Sequence, residues 1–534
     1  MSYITPLVSF AERQVISVKN QIEWIKMAVN LCMAEFASEQ EKKGCFAELE
    51  EIYNQFTDIE QKSILDIIMR EFEVNDAIYV FSVMVQYMEV KAFRKAVMEC
   101  LIKGEFDGFI GGVLEYQAAV YVKGEYKQRR LFRKKNIGRL EEILAVHYPY
   151  IPLETRNKNH IVLVTGQVLK PLHAPSRIIM DLSYALQKYM GYEVILFICP
   201  CDRRLPEDLW NRPRCENSEG IFRRNPVGIQ VRDIVVRGYQ INMHELCEKE
   251  YNMMFDIIYA WNPFFVFDFS TINPIVDIIK NFTTLVSMPA SIDCPVSEAQ
   301  ILIRVARERE ELEKEYEDML NDDQTQLFVQ EKFPILVESN LTNCTRLELG
   351  LPEGQFLIAI VGNRLQSEID EGFVCEMRKV LEKMPNIAFV IIGSEEGIKK
   401  YFEDMIFDGH IYYLGYRKDL LDVYGVLDLY LNPRRIGGGF SGGMALLAGI
   451  PVVTLPDCDV ANNCGEEFIV QNYEDMISTV CRYASEPEFY NTKKECAKLY
   501  KEKNTDVQLE RFVREMVDGV VNIMNEKGEN YVGF

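Results

Sequence analysis

Leu429-Tyr-Leu-Asn-Pro-Arg-Arg-Ile-Gly437-Gly-Gly-Phe-Ser441-Gly-Gly-Met444-Ala-Leu-Leu-Ala-Gly449-Ile-Pro-Val-Val-Thr-Leu455 packs four elements into one short run. It opens as a buried strand, an apolar segment closed by Asn432-Pro433. Three glycines follow, then a small helix over 441–448 that Gly449 ends, then a second apolar strand over 451–455. This order turns backbone N–H groups toward a phosphate in α/β proteins. Gly437, Gly438 and Gly439 lack a Cβ, so backbone can approach a diphosphate closely. Ser441 can cap the helix or donate a hydroxyl. A glycine triplet serves a plain tight turn between core elements equally well, so the surroundings must decide.

The surroundings repeat the alternation. From residue 333 onward, strands are expected at 356–361, 388–392, 411–414, 429–431 and 452–455, with helices at 370–384, 395–404 and 419–426. Helical pattern then runs from 473 to about 524. Upstream, strands are expected at 160–164, 194–198, 229–236, 256–261 and 284–288, with a helix after Ser176. Residues 297–320 read as one long helix whose charged end, 304–318, faces solvent. Strands alternating with helices imply parallel, doubly wound sheets. Two in succession should leave a cleft bordered by the carboxyl ends of their strands. Before them, apolar residues recur at threes and fours, as in Ile22, Ile25 and Val29, or Ile64, Leu65, Ile68 and Phe72. The expected fold class is therefore α/β: two Rossmann-like doubly wound domains preceded by an all-helical domain. The boundaries read as 1–150 helical, 155–330 first α/β domain, and 331–534 second α/β domain with C-terminal helices.

Composition narrows the function. The 534 residues carry a formal net charge of −22, which argues against a nucleic-acid partner. Any phosphate must be met locally, by backbone dipoles and a few cations. The basic run at 123–139 stands out on this acidic chain. It reads as a solvated helix face in preference to a patch for an anionic acceptor or membrane. Fourteen cysteines without a CxxC pair and five dispersed histidines give no metal-site spacing, so no metal is expected. No basic segment leads into an apolar core at the N-terminus, and no apolar run has the length of a transmembrane span. A cytoplasmic protein is expected.

Several side chains fall at predicted strand ends. Val361-Gly362-Asn363-Arg364 closes the first strand of the second α/β domain, and Arg364 can offer a forked cation to a diphosphate. Asn363 accompanies it. Lys418 ends another strand, while Asn432, Arg434 and Arg435 precede the glycines. One of those two arginines is expected to face phosphate and the other solvent. Phe440 and Gly442 complete the turn, and Asp457, Asp459, Asn462 and Glu466 follow the next strand, where they can line a sugar pocket. In the first α/β domain, His173 and Gln167 lie on the loop after the first strand. His173 can act as general base toward an acceptor hydroxyl, bind donor phosphate, or cap the next helix.

Gly362-Asn-Arg-Leu365, Leu414-Gly-Tyr416, Asn432-Pro, Gly437-Gly-Gly-Phe-Ser441 and Ala448-Gly-Ile-Pro-Val-Val-Thr-Leu-Pro456 together resemble the nucleotide domain of GT-B glycosyltransferases. Within that fold the chain is most similar to the branch of O-GlcNAc transferases and bacterial cytoplasmic protein glucosyltransferases. That branch also sets an all-helical domain before the two Rossmann-like ones. The resemblance covers 155–525 as architecture and 356–470 as motif. It implies a UDP-sugar donor, transfer to an acceptor hydroxyl or amide, and no metal or other cofactor. Ile436 and Met444 stand where retaining members place two glutamates, which leans the reading toward an inverting enzyme. Met444 also occupies the ribose-acid position of the inverting branch, and Ser367 falls nearest its phosphate-binding lysine. The leading expectation is a glycosyltransferase acting on a protein or glycan, with the helical domain holding the acceptor or a partner subunit. The alternative is a non-catalytic GT-B subunit that stabilises a partner glycosyltransferase or adhesin.

Overall fold

The computed structural model describes residues 21–36, 39–122, 124–169, 173–199, 205–206, 208–211, 226–241, 247–269, 273–289, 294–305, 307, 310–336, 344–369, 371–394, 397–403, 407–435, 437–456 and 458–527. Asp457 and Ile436 lie outside them. The chain divides into two compact units: 1–170 with 178–328 and 518–534, and 171–177 with 329–517.

In the first unit, helices Gln21–Met33, Glu39–Tyr53, Asp58–Glu71, Val74–Tyr87, Lys91–Lys103, Gly108–Tyr121 and Tyr126–Leu144 precede an eight-stranded sheet. Helix Asp58–Glu71 begins with a capping box, Thr57 and Glu60 each satisfying the other's backbone N–H. The strands are β1 (Asn157–Thr165), β2 (Glu193–Ile198), β3 (Val227–Val231), β4 (Ile234–Gln240), β5 (Pro263–Asp268), β6 (Leu285–Ser287), β7 (Ile301–Arg304) and β8 (Thr325–Phe328). Their order is β3-β4-β2-β1-β5-β6-β7-β8, parallel throughout except for the β3–β4 hairpin.

Four sequence readings change here. The single strand expected at 229–236 is a hairpin that turns at Arg232, whose φ of 51° is left-handed. The strand expected at 256–261 is the end of helix Cys247–Trp261. Tyr251, Met254, Phe255 and Ile258 are its buried face, and that spacing is helical. Asn262, at φ 51°, ends it, and the fully buried strand β5 follows at once. The long helix expected at 297–320 contains strand β7, because Ile301, Leu302 and Ile303 are all buried between β6 and β8. Among the described residues there, only Glu310–Glu317 is helical, and Arg304 is buried in a bidentate pair with Glu313.

The basic run is the fourth change. Helix Tyr126–Leu144 buries Arg130, Arg133 and Asn136 against the sheet domain. Arg133, 1% exposed, donates to Asp277 at 2.6 Å and to Glu115 at 2.5 Å. Arg130 forks onto Glu298 and donates to the Met319 carbonyl at 2.6 Å. Burial pushes the Glu115 carboxyl up to about 6, against the pull of Arg133. These cations are internal staples that bind the helical segment to the first sheet.

The second unit holds a five-stranded parallel sheet: β9 (Phe356–Gly362), β10 (Ile387–Gly393), β11 (Ile411–Gly415), β12 (Leu429–Leu431) and β13 (Val452–Val453). Its order, β11-β10-β9-β12-β13, reverses direction between β9 and β12. That reversal is a topological switch point, where the carboxyl ends of adjacent strands open a crevice. Helices Glu371–Lys383, Leu420–Tyr424, Gly439–Leu447, Tyr473–Ser485 and Pro487–Lys503 surround the sheet. At 399–402 the chain makes a 3₁₀ turn within the helix expected over 395–404. Helix Asp506–Glu526 closes the described chain. Among the described residues no helix is long and apolar enough to cross a membrane.

Candidate active site

The switch point brings Arg364, Asn363 and the glycine turn together. β9 ends at Gly362, which pairs in register with Gly393 of β10. A Cβ on Gly393 (φ 126°) would overlap the Gly362 carbonyl, so only glycine allows this approach. A Cβ on the same glycine would come within 3.4 Å of Asn363 Oδ1. Arg364 is the N-cap of the short helix Leu365–Glu368 and keeps a half-exposed guanidinium. A Cβ added to Gly437 would meet that guanidinium, Nη2, at 3.3 Å. The cation and the turn are thus adjacent across the two strand ends.

The remaining glycines have packing reasons. Gly438 takes φ 97°, and its added Cβ would stand 2.7 Å from Arg435 Nη2. Gly439 sits against Asp459 and Asn463, Gly442 against Val460 at 2.7 Å, and Gly443 against Ile335 and Tyr500. The helix that follows, Gly439–Leu447, has no side-chain cap at Gly438. Its first bond runs from Gly442 N to the Gly438 carbonyl at 3.0 Å. The N–H groups of Gly439, Phe440 and Ser441 therefore belong to the open first turn of a helix, where the dipole favours an anion. Phe440 is half-buried against the core, and the Ser441 carbonyl accepts from the Tyr424 hydroxyl at 3.1 Å.

Arg434 and Arg435 part ways differently from the expectation. Arg435 is interior. It donates to Asn432 Oδ1 (2.8 Å), Glu368 Oε2 (2.6 Å), the Val361 carbonyl (2.8 Å) and the Tyr430 hydroxyl (2.8 Å). Arg434 is exposed, with its guanidinium 5.2 Å from the Tyr473 ring centre. Asn432 is buried and also donates to Thr454 Oγ1 at 3.1 Å. Glu368 and Tyr430 escaped the sequence reading, although Glu368 lies one helical turn beyond Arg364, where an ion pair forms readily.

Other candidates lie further out. Lys418 follows the edge strand β11, two strands from β9, which is about 10 Å across the sheet. Asp459 opens helix Asp459–Cys464 beside Gly439. Asn462 is exposed and donates to the Cys458 carbonyl, and Glu466 is exposed at a 3₁₀ turn. His173 precedes helix Ala174–Lys188 and shares a 2.7 Å hydrogen bond between Nδ1 and Ser176 Oγ. Burial holds its imidazole below the usual range, so the ring is neutral at neutral pH. Gln167, after β1 in the first unit, is half-buried. Met444 is 1% exposed in the core of the second unit.

No protein-family model and no curated protein matches the chain. Among solved structures, an O-GlcNAc transferase mutant from Thermobaculum terrenum is similar at TM-score 0.56 and 11% identity, over 97% of this chain and 100% of that one. The fold is GT-B. A Rickettsia africae glycosyltransferase matches at TM-score 0.49 and 12% identity, over 69% of this chain and 99% of that one. Anabaena Alr3699/HepE in complex with UDP matches at 0.46 and 12%, over 67% and 99%. The first likeness extends the GT-B architecture over almost the whole chain, with its helical segment.

Proposed function

We propose that this protein is a cytoplasmic, metal-independent glycosyltransferase that moves a sugar from a UDP-sugar to a protein or glycan acceptor. The observation that supports it most is the adjacency of Arg364 Nη2 and Gly437 at the switch point of a GT-B fold. In the transfer, the acceptor oxygen or nitrogen attacks the anomeric carbon and the bond from that carbon to the diphosphate breaks. Arg364 and the first-turn N–H groups of 439–441 stabilise the charge that grows on the diphosphate, with Gly437, Gly438 and Gly442 shaping their approach. This needs no cofactor beyond the donor. His173, neutral because it is buried, takes the acceptor proton. Lack of the paired glutamates, with Met444 in the core, favours inversion. The helical segment holds the acceptor or a partner subunit.

Titration with UDP by calorimetry, followed by a panel of UDP-sugars scored for hydrolysis and transfer, tests this. A micromolar UDP affinity and turnover with one donor are expected. No heat at millimolar UDP would sink the enzyme reading. That result would favour the second reading, a non-catalytic subunit that stabilises a partner glycosyltransferase or adhesin, which the buried methionine at position 444 motivates.

A further inference from the structure

The phosphate cation of the proposed site does not stand by itself. Glu368, whose side chain is 11% exposed, reaches two arginines: Oε2 lies 2.6 Å from Arg435 Nη1 and Oε1 lies 3.5 Å from Arg364 Nη2. Arg435 is fixed at every nitrogen. Nε donates to Asn432 Oδ1 beyond β12, and Nη2 donates to the Val361 carbonyl at the end of β9 and to the Tyr430 hydroxyl of β12. Gly362 and Gly438 are both glycine at the points where a Cβ would press on this guanidinium, at 2.7 Å each. The sequence thus makes room for a buried fork that ties the two strand ends of the switch point together.

We infer that Arg435 and Glu368 are positioning residues: the buried fork fixes the Glu368 carboxylate, and that carboxylate holds the Arg364 guanidinium beside Gly437. This rests on the reading of Arg364 as the diphosphate cation. The chain Arg435–Glu368–Arg364 carries one net positive charge, so the carboxylate orients Arg364 while Arg435 offsets its repulsion of phosphate. A freely rotating surface arginine would lose side-chain entropy on binding phosphate, and a held one loses less.

The experiment is a double-mutant cycle on UDP affinity with the full chain. Glu368→Asp keeps the charge but withdraws the carboxylate by one methylene, so it cannot reach both arginines. Expected are a tenfold or greater loss for Arg364→Ala, about fivefold for Glu368→Asp, and no further loss when Glu368→Asp is added to Arg364→Ala. Arg435→Lys, which also keeps the charge but loses the fork, should repeat the Glu368→Asp pattern. A purely structural role would weaken binding by the same factor whether or not Arg364 is present. Full multiplication of the two losses therefore overturns the proposal, as does wild-type affinity in Glu368→Asp while Arg364→Ala is impaired. Wild-type protein that binds no UDP removes the nucleotide reading and this one together. Wild-type affinity in Arg364→Ala removes the cation assignment and hence this proposal, while nucleotide binding stands.

Discussion

Gly437 and Gly438 are neighbours with opposite predicted behaviour, and comparing them separates binding from folding. Gly438 holds φ 97°, where an alanine is strained by about 1–3 kcal/mol. Its methyl would also stand 2.7 Å from the buried Arg435 guanidinium, overpacking that adds about 1–3 kcal/mol. Gly438→Ala should therefore destabilise the second unit by about 2–6 kcal/mol. Among the described residues, a methyl on Gly437 would meet only the end of Arg364, at 3.3 Å. Gly437→Ala should change stability by about 0.5 kcal/mol or less, yet weaken UDP about tenfold, because the methyl occupies the space between cation and turn. Urea unfolding can assign the losses to a unit. All three tryptophans, Trp24, Trp210 and Trp261, belong to the first unit, so their fluorescence follows that unit while far-UV circular dichroism follows both. Gly438→Ala should move the dichroism transition and leave the fluorescence transition in place. Wild-type UDP affinity in Gly437→Ala would refute the cradle.

Two further changes probe groups outside the glycine turn. Arg133→Met keeps most of the stem but leaves Glu115 and Asp277 buried without their cation, so about 3–5 kcal/mol should be lost from the first unit, read by tryptophan fluorescence. With Glu115 already raised to about 6 in the wild type, its protonated form is favoured in the folded state, so that loss should shrink between pH 8 and pH 5. An equal loss at both pH values would contradict the buried-charge account. For His173, whose depressed value keeps it neutral at neutral pH, the acid limb of kcat/KM should lie below about 6.5, and His173→Gln should remove it together with most of kcat. A limb unmoved by that substitution would take the base role away from His173.

How far the sequence could be read depended on whether local pattern and burial agree. In the second unit they do: short apolar runs bounded by glycine, proline and asparagine became β9, β10, β11, β12 and β13, and the glycine turn fell at the switch point. In the first unit a run such as Ile257-Ile-Tyr-Ala-Trp261 suits strand and buried helix alike, and only its neighbours Tyr251, Met254 and Phe255 settle it as helix. Charge misled most. Arg130, Arg133, Arg304 and Arg435 were read as surface or ligand groups, and each has its guanidinium buried on an acid, distant in sequence for all but Arg304, whose partner Glu313 lies nine residues on. Their partners, such as Glu298 and Asp277, lie more than a hundred residues from Arg130 and Arg133, so no spacing rule could pair them.

Arg435 shows what this means for the glycine turn. A strand end whose arginines lead into a glycine triplet looks like a phosphate cradle, and part of it is a cradle for the protein's own guanidinium. Gly362 and Gly438 admit Arg435, while Gly439, Gly442 and Gly443 admit neighbouring elements. Among the described residues of this turn, Gly437, beside Arg364, is the glycine with no core partner that demands its lack of a side chain. The case for nucleotide binding therefore concentrates on one glycine, one exposed arginine and the first-turn N–H groups, held by a buried ion pair that also joins β9 to β12. A chain that had abandoned the diphosphate would still need Arg435, Gly362 and Gly438 to fold, whereas Arg364 and Gly437 would be under no such demand. Substitutions at those two positions are consequently the ones whose effect on UDP, with stability unchanged, distinguishes a working site from a retained scaffold.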